Sequence, residues 1–212
     1  MYIQRIQHSY SNFFLDINNL SINKNEIIGL VGENGSGKTT LMNILSGIMA
    51  PNENIEMDSF DSKKILYIPS HLEAYDFLTV IDFIELVLKY SNSQESSVKI
   101  IEKMGVSDKK NELIANLSQG MQKKLTFVNL FIDTYDFIIL DEPFNSVDVK
   151  YIAQMKNMLK EKKVESTILI SSHILDTLSD MCDSFIYLEN GKVKKTFIND
   201  HDIKRLESEF YV

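Results

Sequence analysis

Gly32-Glu33-Asn34-Gly35-Ser36-Gly37-Lys38-Thr39 is the stretch that decides the reading of this chain. The pattern is G-x-x-x-x-G-K-[ST], and each part has a physical task. Glycines let the backbone curl so that successive N–H groups point at one anion, and they leave room for close approach. A lysine at position 38 reaches the β- and γ-phosphates of a nucleotide, and the Thr39 hydroxyl is placed to ligate Mg²⁺. The flanks agree with this. Ile27-Ile28-Gly29-Leu30-Val31 is a short apolar run that reads as a buried strand. Thr40 to Ile48 reads as a helix, with Leu41, Ile44, Leu45 and Ile48 at helical spacing. An anion at that helix N-terminus meets unpaired N–H groups and the positive end of the macrodipole. Gly32, Glu33, Asn34, Gly35, Ser36, Gly37, Lys38, Thr39 and Thr40 therefore form the candidate phosphate-binding segment.

The 212 residues are enough for one sizeable core and short for two full domains. With 44% hydrophobic and 25% charged residues, the composition is that of an ordinary globular protein. A formal net charge of -8 argues against attraction to nucleic acid or to anionic lipid. The single cysteine, Cys182, cannot form an internal disulfide, which fits a reducing cytosol. It falls into an apolar helical pattern with Leu175, Leu178 and Met181 and reads as a buried core thiol. No apolar stretch approaches the ~18–20 residues of a membrane helix, and the N-terminus has no signal segment. Lys156, Lys160, Lys162 and Lys163, interleaved with Met155, Met158 and Leu159, read as a solvated helix face.

Hydrophobic periodicity and turn residues divide the rest of the chain. Tyr2–His8 and Phe13–Ile22 read as strands joined through Ser9-Tyr10-Ser11-Asn12. Asn52–Asp58 and Ile65–Ile68 are short strand candidates. Val80–Tyr90 and Gln94–Met104 read as helices, and Ser118 caps another that runs to about Ile132. Phe137-Ile138-Ile139-Leu140 and Thr167–Ser171 are buried strands. Between them Asp148 caps a helix ending near Lys162. A helix from Ile174 to Cys182 follows, then a hairpin of Ser184–Leu188 and Lys192–Phe197 through the type I′ signal Asn190-Gly191. Asp202–Glu209 reads as a short surface helix. Strands alternating with helices imply an α/β fold with a mainly parallel sheet, from which the helical segment 80–116 stands apart.

A phosphate loop needs a carboxylate for its metal ion, and Phe137-Ile138-Ile139-Leu140-Asp141-Glu142 supplies two acids at the carboxyl end of a buried strand. Asp141 is placed to hold Mg²⁺, and Glu142 to orient an attacking water or take its proton. Leu117-Ser118-Gln119-Gly120-Met121 starts a capped helix about 80 residues after Lys38, and Ser171-Ser172-His173 ends a strand. In this order the set closely resembles the ATP-binding cassette (ABC) ATPases, the nucleotide-binding subunits of ABC transporters. The resemblance runs from about Tyr10 to about Phe197.

It implies a P-loop NTPase core with an antiparallel β subdomain and a helical subdomain at about 80–116, all within one ABC ATPase domain, 1–212. Gly32 through Thr39 matches the family's Walker A motif and Phe137 through Glu142 its Walker B motif. Lys38, Glu142 and His173 then become the catalytic group, with Glu142 as the catalytic carboxylate and His173 contacting γ-phosphate and water. Leu117 to Met121 matches the signature motif, and Asn145-Ser146-Val147-Asp148 the D-loop. In such proteins two cassettes meet head to tail, so Ser118 and Gly120 of one subunit close over ATP held by Lys38 of the other. An aromatic usually stacks on the adenine; Tyr10 is the first candidate and Phe13 its competitor. The implied activity is ATP hydrolysis with Mg²⁺ as the metal. The implied partners are a second ATPase subunit, identical or different, and a separate transmembrane permease, with no nucleic acid. The implied place is the cytoplasm, peripheral on the cytoplasmic face of the membrane.

Some positions depart from the family pattern. Tyr67-Ile68-Pro69-Ser70-His71 stands where Tyr-x-Pro-Gln is usual, so the third expected metal residue, after Thr39 and Asp141, is Ser70. A serine hydroxyl is shorter and reaches a metal through water. Gln119 and Met121 replace Gly and Gln of the usual signature, while Ser118 and Gly120 remain. A docking groove for the permease is expected between Ser70 and the Val80–Tyr90 helix, with Tyr75, Phe77 and Phe83 as candidate lining. This signature resembles small bacterial export-type cassettes. The alternatives are a soluble cassette ATPase such as an iron–sulfur assembly subunit, or a weakly hydrolysing half of a heterodimer.

Overall fold

The computed structural model describes residues 1–10, 12–53, 55–57, 64–71, 75–173 and 175–201. The chain separates into two compact units. The first comprises residues 1–67, 135–142 and 156–212, the second residues 68–134 and 143–155. The expected helix at Asp202–Glu209 lies outside the described residues.

The first unit carries two sheets. β1 (Tyr2–Tyr10) pairs antiparallel with β2 (Phe13–Ser21) and with β4 (Ile55–Met57), giving the order β2-β1-β4. β1 extends two residues beyond the expected His8, because Tyr10 is still paired with Phe13. The second sheet has the order β5-β6-β7-β3-β8-β9. Its strands are β3 (Ile27–Val31), β5 (Ile65–Ile68), β6 (Phe137–Leu140), β7 (Thr167–Ser172), β8 (Ser184–Glu189) and β9 (Lys192–Ile198). β6, β7, β3 and β8 run parallel, and β9 returns antiparallel to β8. Every residue of β3, β6 and β7 is buried, as strands covered on both faces require. α1 (Lys38–Leu45) follows β3 and buries Leu41, Met42, Ile44 and Leu45 against Ile28, Leu30, Ile139 and Leu169. The β8–β9 turn is the expected I′ type, with positive φ at Asn190 (48°) and Gly191 (75°).

The second unit is a helical lobe. α2 (Val80–Tyr90) opens with a reciprocal capping box between Thr79 and Asp82. α2 and α3 (Ser97–Met104) share one apolar core with α4 (Gln119–Thr126) and α5 (Val128–Ile132). Phe83 is buried there at 4% exposure, so it belongs to the lobe core and not to a docking groove; Phe77 stays 75% exposed.

Four expectations need correction. α1 begins at Lys38 and ends at Leu45, since Gly47 turns left-handed (φ 77°); Ile48, expected on its apolar face, is 63% exposed. The helix after Ser118 breaks at Phe127, whose ψ of 0° leaves the helical ladder; there the Thr126 hydroxyl bonds back to the Lys123 carbonyl. The helix expected at Ile174–Cys182 is the single turn α7 (Asp176–Ser179), after which Met181 and Cys182 both donate to the Leu178 carbonyl. The lysine face of α6 (Val149–Lys162) is not simply solvated: Lys156 pairs with the Asp180 carboxylate, Lys160 donates to the Asp180 carbonyl, and Lys163 pairs with Asp183. Cys182 is buried as expected, and burial holds its thiol far above its ordinary range.

Candidate functional site

The loop 32–37 connects β3 to α1, and its geometry follows from its glycines. A Cβ on Gly32 would sit 2.2 Å from the Leu188 carbonyl oxygen, so only glycine fits that bend. Gly37 enters the helix with φ 105° and offers no capping side chain, leaving the helix N-terminus without a cap of its own. Ser36 Oγ is buried with no hydrogen-bond partner among the described residues. A buried, unmatched hydroxyl costs free energy until an acceptor arrives. A phosphate oxygen supplies one.

Lys38 folds back over this loop. Its Nζ donates to the carbonyls of Gly32 (2.7 Å) and Glu33 (3.1 Å). Burial lowers its pKa, partly offset by the charges of Glu142 and Asp141. Those two acids follow β6 directly. Asp141 is 3% exposed, and its two oxygens are held separately: Thr39 Oγ1 donates to Oδ2 (2.8 Å) and Ser171 Oγ to Oδ1 (2.6 Å). The Tyr67 hydroxyl also bonds Asp141, and burial together with that carboxylate pushes its pKa up to about 12. Glu142 adopts a left-handed φ of 47°; its N–H donates to Ser171 Oγ (2.8 Å), and its Oε2 lies 3.0 Å from His173 Nδ1. The structure thus brings together the loop, Thr39, Asp141, Glu142 and His173 within the first unit, as the sequence led one to expect.

The same region fits a Mg²⁺–nucleotide. Thr39 and Asp141 present adjacent hard oxygen donors, and Mg²⁺ characteristically takes one or two carboxylates with substrate phosphates and waters. Among the described residues no cluster of three or more His, Cys, Asp or Glu forms an all-protein metal cage. Both adenine candidates lie in this unit. Phe13 touches the loop itself, since a Cβ on Gly37 would meet its Cζ at 2.8 Å. Tyr10, 46% exposed, sits opposite Phe13 in register, its ring edge-on to His8 and its hydroxyl on Met49 Sδ.

Two further members of this site read in the sequence only as part of a strand end and of a turn. Ser171 is one. Gly191 is the other: its N–H donates to the Ser36 carbonyl (2.9 Å) and its carbonyl accepts from Asp16 N–H (2.8 Å), so the β8–β9 turn holds the phosphate loop.

Ser70, Ser118 and Gly120 belong to the second unit. Ser118 caps α4, its Oγ accepting from Met121 N–H at 3.3 Å. Gly120 is needed for space, because a Cβ there would lie 2.6 Å from the Ser146 carbonyl oxygen. One turn on, Lys124 pairs with Asp148 (2.8 Å) and lies over the Tyr151 ring (4.5 Å). Asp148 caps α6 by accepting from Tyr151 N–H. Buried Lys123 donates to the carbonyls of Ser70 (2.9 Å) and Pro69 (3.3 Å). His71 is exposed.

The family model described as ABC transporter matches residues 15–145, more than half of the chain. The chain belongs to the ABC transporter family. The uncharacterized ABC transporter ATP-binding protein YthP of Bacillus subtilis (strain 168) is 30% identical over 181 residues, spanning 82% of this chain and 75% of its own length. A solved ATP-binding subunit of an ABC transporter superposes with a TM-score of 0.78 at 26% identity, over 98% of this chain and 92% of that one. The ATP-binding cassette MJ0796, solved as a dimer in a post-hydrolysis state with ADP and Pi, shares the fold at a TM-score of 0.76 and 18% identity, over 93% of this chain and 97% of that one. As an ABC cassette the chain binds ATP and is an ATPase. No helix among the described residues is long and apolar enough to cross a membrane.

Proposed function

We propose that this cassette drives transport through a separate transmembrane permease, that it works as a dimer with a second cassette, and that the direction is export. The observation that carries the ATPase chemistry is the cluster of Lys38, Thr39, Asp141, Glu142 and His173 around one phosphate loop. Lys38 leaves the Gly32 and Glu33 carbonyls for the β- and γ-phosphates. Ser36 and the loop N–H groups complete the cradle. Glu142 accepts the proton of, or orients, the attacking water, and His173 holds the Glu142 carboxylate and meets the γ-phosphate. Thr39 and Asp141, with Ser70 through a water, would hold Mg²⁺, and its charge would stabilise the phosphoryl oxygens. Tyr10 stacks on the adenine.

Ser118 and Gly120 of one subunit close on the ATP of the other, where a helix N-terminus and a hydroxyl offer donors to the γ-phosphate. Hydrolysis removes those contacts and the pair opens. Residues 1–212 act as one cassette in which 80–116 is the helical subdomain, peripheral on the cytoplasmic face of the membrane. The permease is met near Ser70, Tyr75 and Phe77. Export is the direction favoured by the Ser118-Gln119-Gly120-Met121 signature, through its likeness to small bacterial export-type cassettes.

The experiment is a gentle-detergent pull-down of tagged Glu142→Gln chain with ATP, followed by identification of what co-purifies. A polytopic membrane protein in stoichiometric amount supports the proposal. Soluble partners alone, from a well-extracted membrane fraction, would replace it with a soluble scaffold ATPase.

A further inference from the structure

Ser171 is a polar residue at the centre of the sheet. It lies in β7, Thr167-Ile168-Leu169-Ile170-Ser171-Ser172, and is 0% exposed. Serine at full burial is uncommon and needs a reason. Leu140 is level with Ile170 in the β6–β7 ladder, so Ser171 stands one step beyond, beside Asp141. Its single hydroxyl uses both of its capacities there. It donates to Asp141 Oδ1 (2.6 Å) and accepts the Glu142 N–H (2.8 Å). The chain Glu142 N–H to Ser171 O–H to Asp141 carboxylate is continuous, and each bond polarises the next. It also bears on two positions that need support. The Asp141 carboxylate must present Oδ2 to Thr39, and Glu142 must keep a left-handed φ that a non-glycine residue adopts only at a cost.

We propose that Ser171 is a positioning residue that orients Asp141 and Glu142 as one unit, fixing the metal-facing carboxylate and the water-facing carboxylate together. The inference rests on the roles of Asp141 and Glu142 proposed above. Thr39 holds Oδ2, the other Asp141 oxygen, and would turn to the metal when nucleotide binds. Ser171 holds Oδ1, the oxygen that Thr39 does not, and the Glu142 N–H with the same hydroxyl.

The test compares the full-length chain with Ser171→Ala, with the near-isosteric Ser171→Cys, and with Ser171→Thr, which keeps the hydroxyl. A fluorescent ATP analogue is titrated in EDTA and in Mg²⁺, and kcat and KM are measured alongside. For Ser171→Ala the affinity in EDTA stays as in the wild type, while the tightening by Mg²⁺ and kcat each fall about 10- to 100-fold, the usual effect of losing a group behind a metal ligand. Ser171→Cys, a weak donor and acceptor, falls in the same direction, and Ser171→Thr restores both readouts. Equal losses in EDTA and in Mg²⁺ would overturn the inference, because they would mean general damage to the loop. So would a lower melting temperature with the magnesium response and kcat intact, which would make Ser171 merely structural. A wild-type chain without any magnesium response overturns both this inference and the function it rests on; a responsive wild type beside an indifferent Ser171→Ala and Ser171→Cys overturns the inference alone.

Discussion

Gly191→Ala tests whether the phosphate loop is held from outside its own motif. At φ 75° an alanine pays the left-handed penalty of about 1–2 kcal/mol. Its Cβ would lie 2.0 Å from the Phe14 carbonyl oxygen, about 1 Å closer than real Cβ contacts come, and both atoms of that clash are fixed to backbone. Relief requires the turn to move away from β2, which breaks Asp16 N–H to Gly191 O and strains Gly191 N–H to Ser36 O, each worth roughly 1 kcal/mol. The entropy lost from the unfolded chain returns only about 0.4–1 kcal/mol. The net expectation is a loss of roughly 2–4 kcal/mol, a large part of the ~5–15 kcal/mol of an ordinary domain. Urea denaturation at 25 °C without nucleotide measures it, and equilibrium ATP binding shows the released Ser36 carbonyl as weaker affinity. Gly105→Ala is the control. Its φ is also positive (68°), but nothing lies within 4 Å of the added Cβ, so the left-handed penalty less the same entropy return leaves a loss of about 0–1.6 kcal/mol. If Gly191→Ala equals Gly105→Ala in stability and keeps wild-type affinity, the account of the turn as a brace for the loop is wrong.

Other expectations follow from named contacts. Lys38→Ala should lose ATP affinity measurably by calorimetry; unchanged affinity would contradict the loop assignment. Phe83→Ala should cost about 3–5 kcal/mol in urea denaturation, as truncation of a buried aromatic does, whereas an exposed docking residue would cost little. Cys182 gives a pH signature. Its folded pKa is raised, so the stability it contributes is present below its ordinary 9.0 and is lost as the unfolded thiol ionises above that. Stability should fall by roughly 1.4 kcal/mol between neutral pH and pH 10 beyond that of Cys182→Ala, and a thiol reagent at pH 8 should react only on unfolding.

What the sequence made legible was local chemistry. Gly32–Thr39, Asp141-Glu142 and Asn190-Gly191 are short runs whose residue types admit few alternatives, and each stands where expected. Helix ends were less legible. Periodicity carried α1 on to Ile48 because it does not register that Gly47 turns left-handed, and it ran through Phe127, which is as apolar as its neighbours. Lys156, Lys160 and Lys163 read as solvated because their partners, Asp180 and Asp183, come from across the fold. That Ser171 and Gly191 support the site was illegible for the same reason. Their partners are about 30 and 150 residues away, and a serine in a strand or a glycine in a turn looks ordinary until the pairing is known.

In the proposed mechanism Glu142 performs the hydrolytic step for ATP held by the 32–39 loop. The most direct measurement is phosphate release by Glu142→Gln beside the wild type, with ATP binding measured on the same samples. With that role for Glu142, binding is retained and turnover falls about 10²- to 10⁴-fold, the contribution of a positioned general base. Wild-type turnover in Glu142→Gln would contradict it.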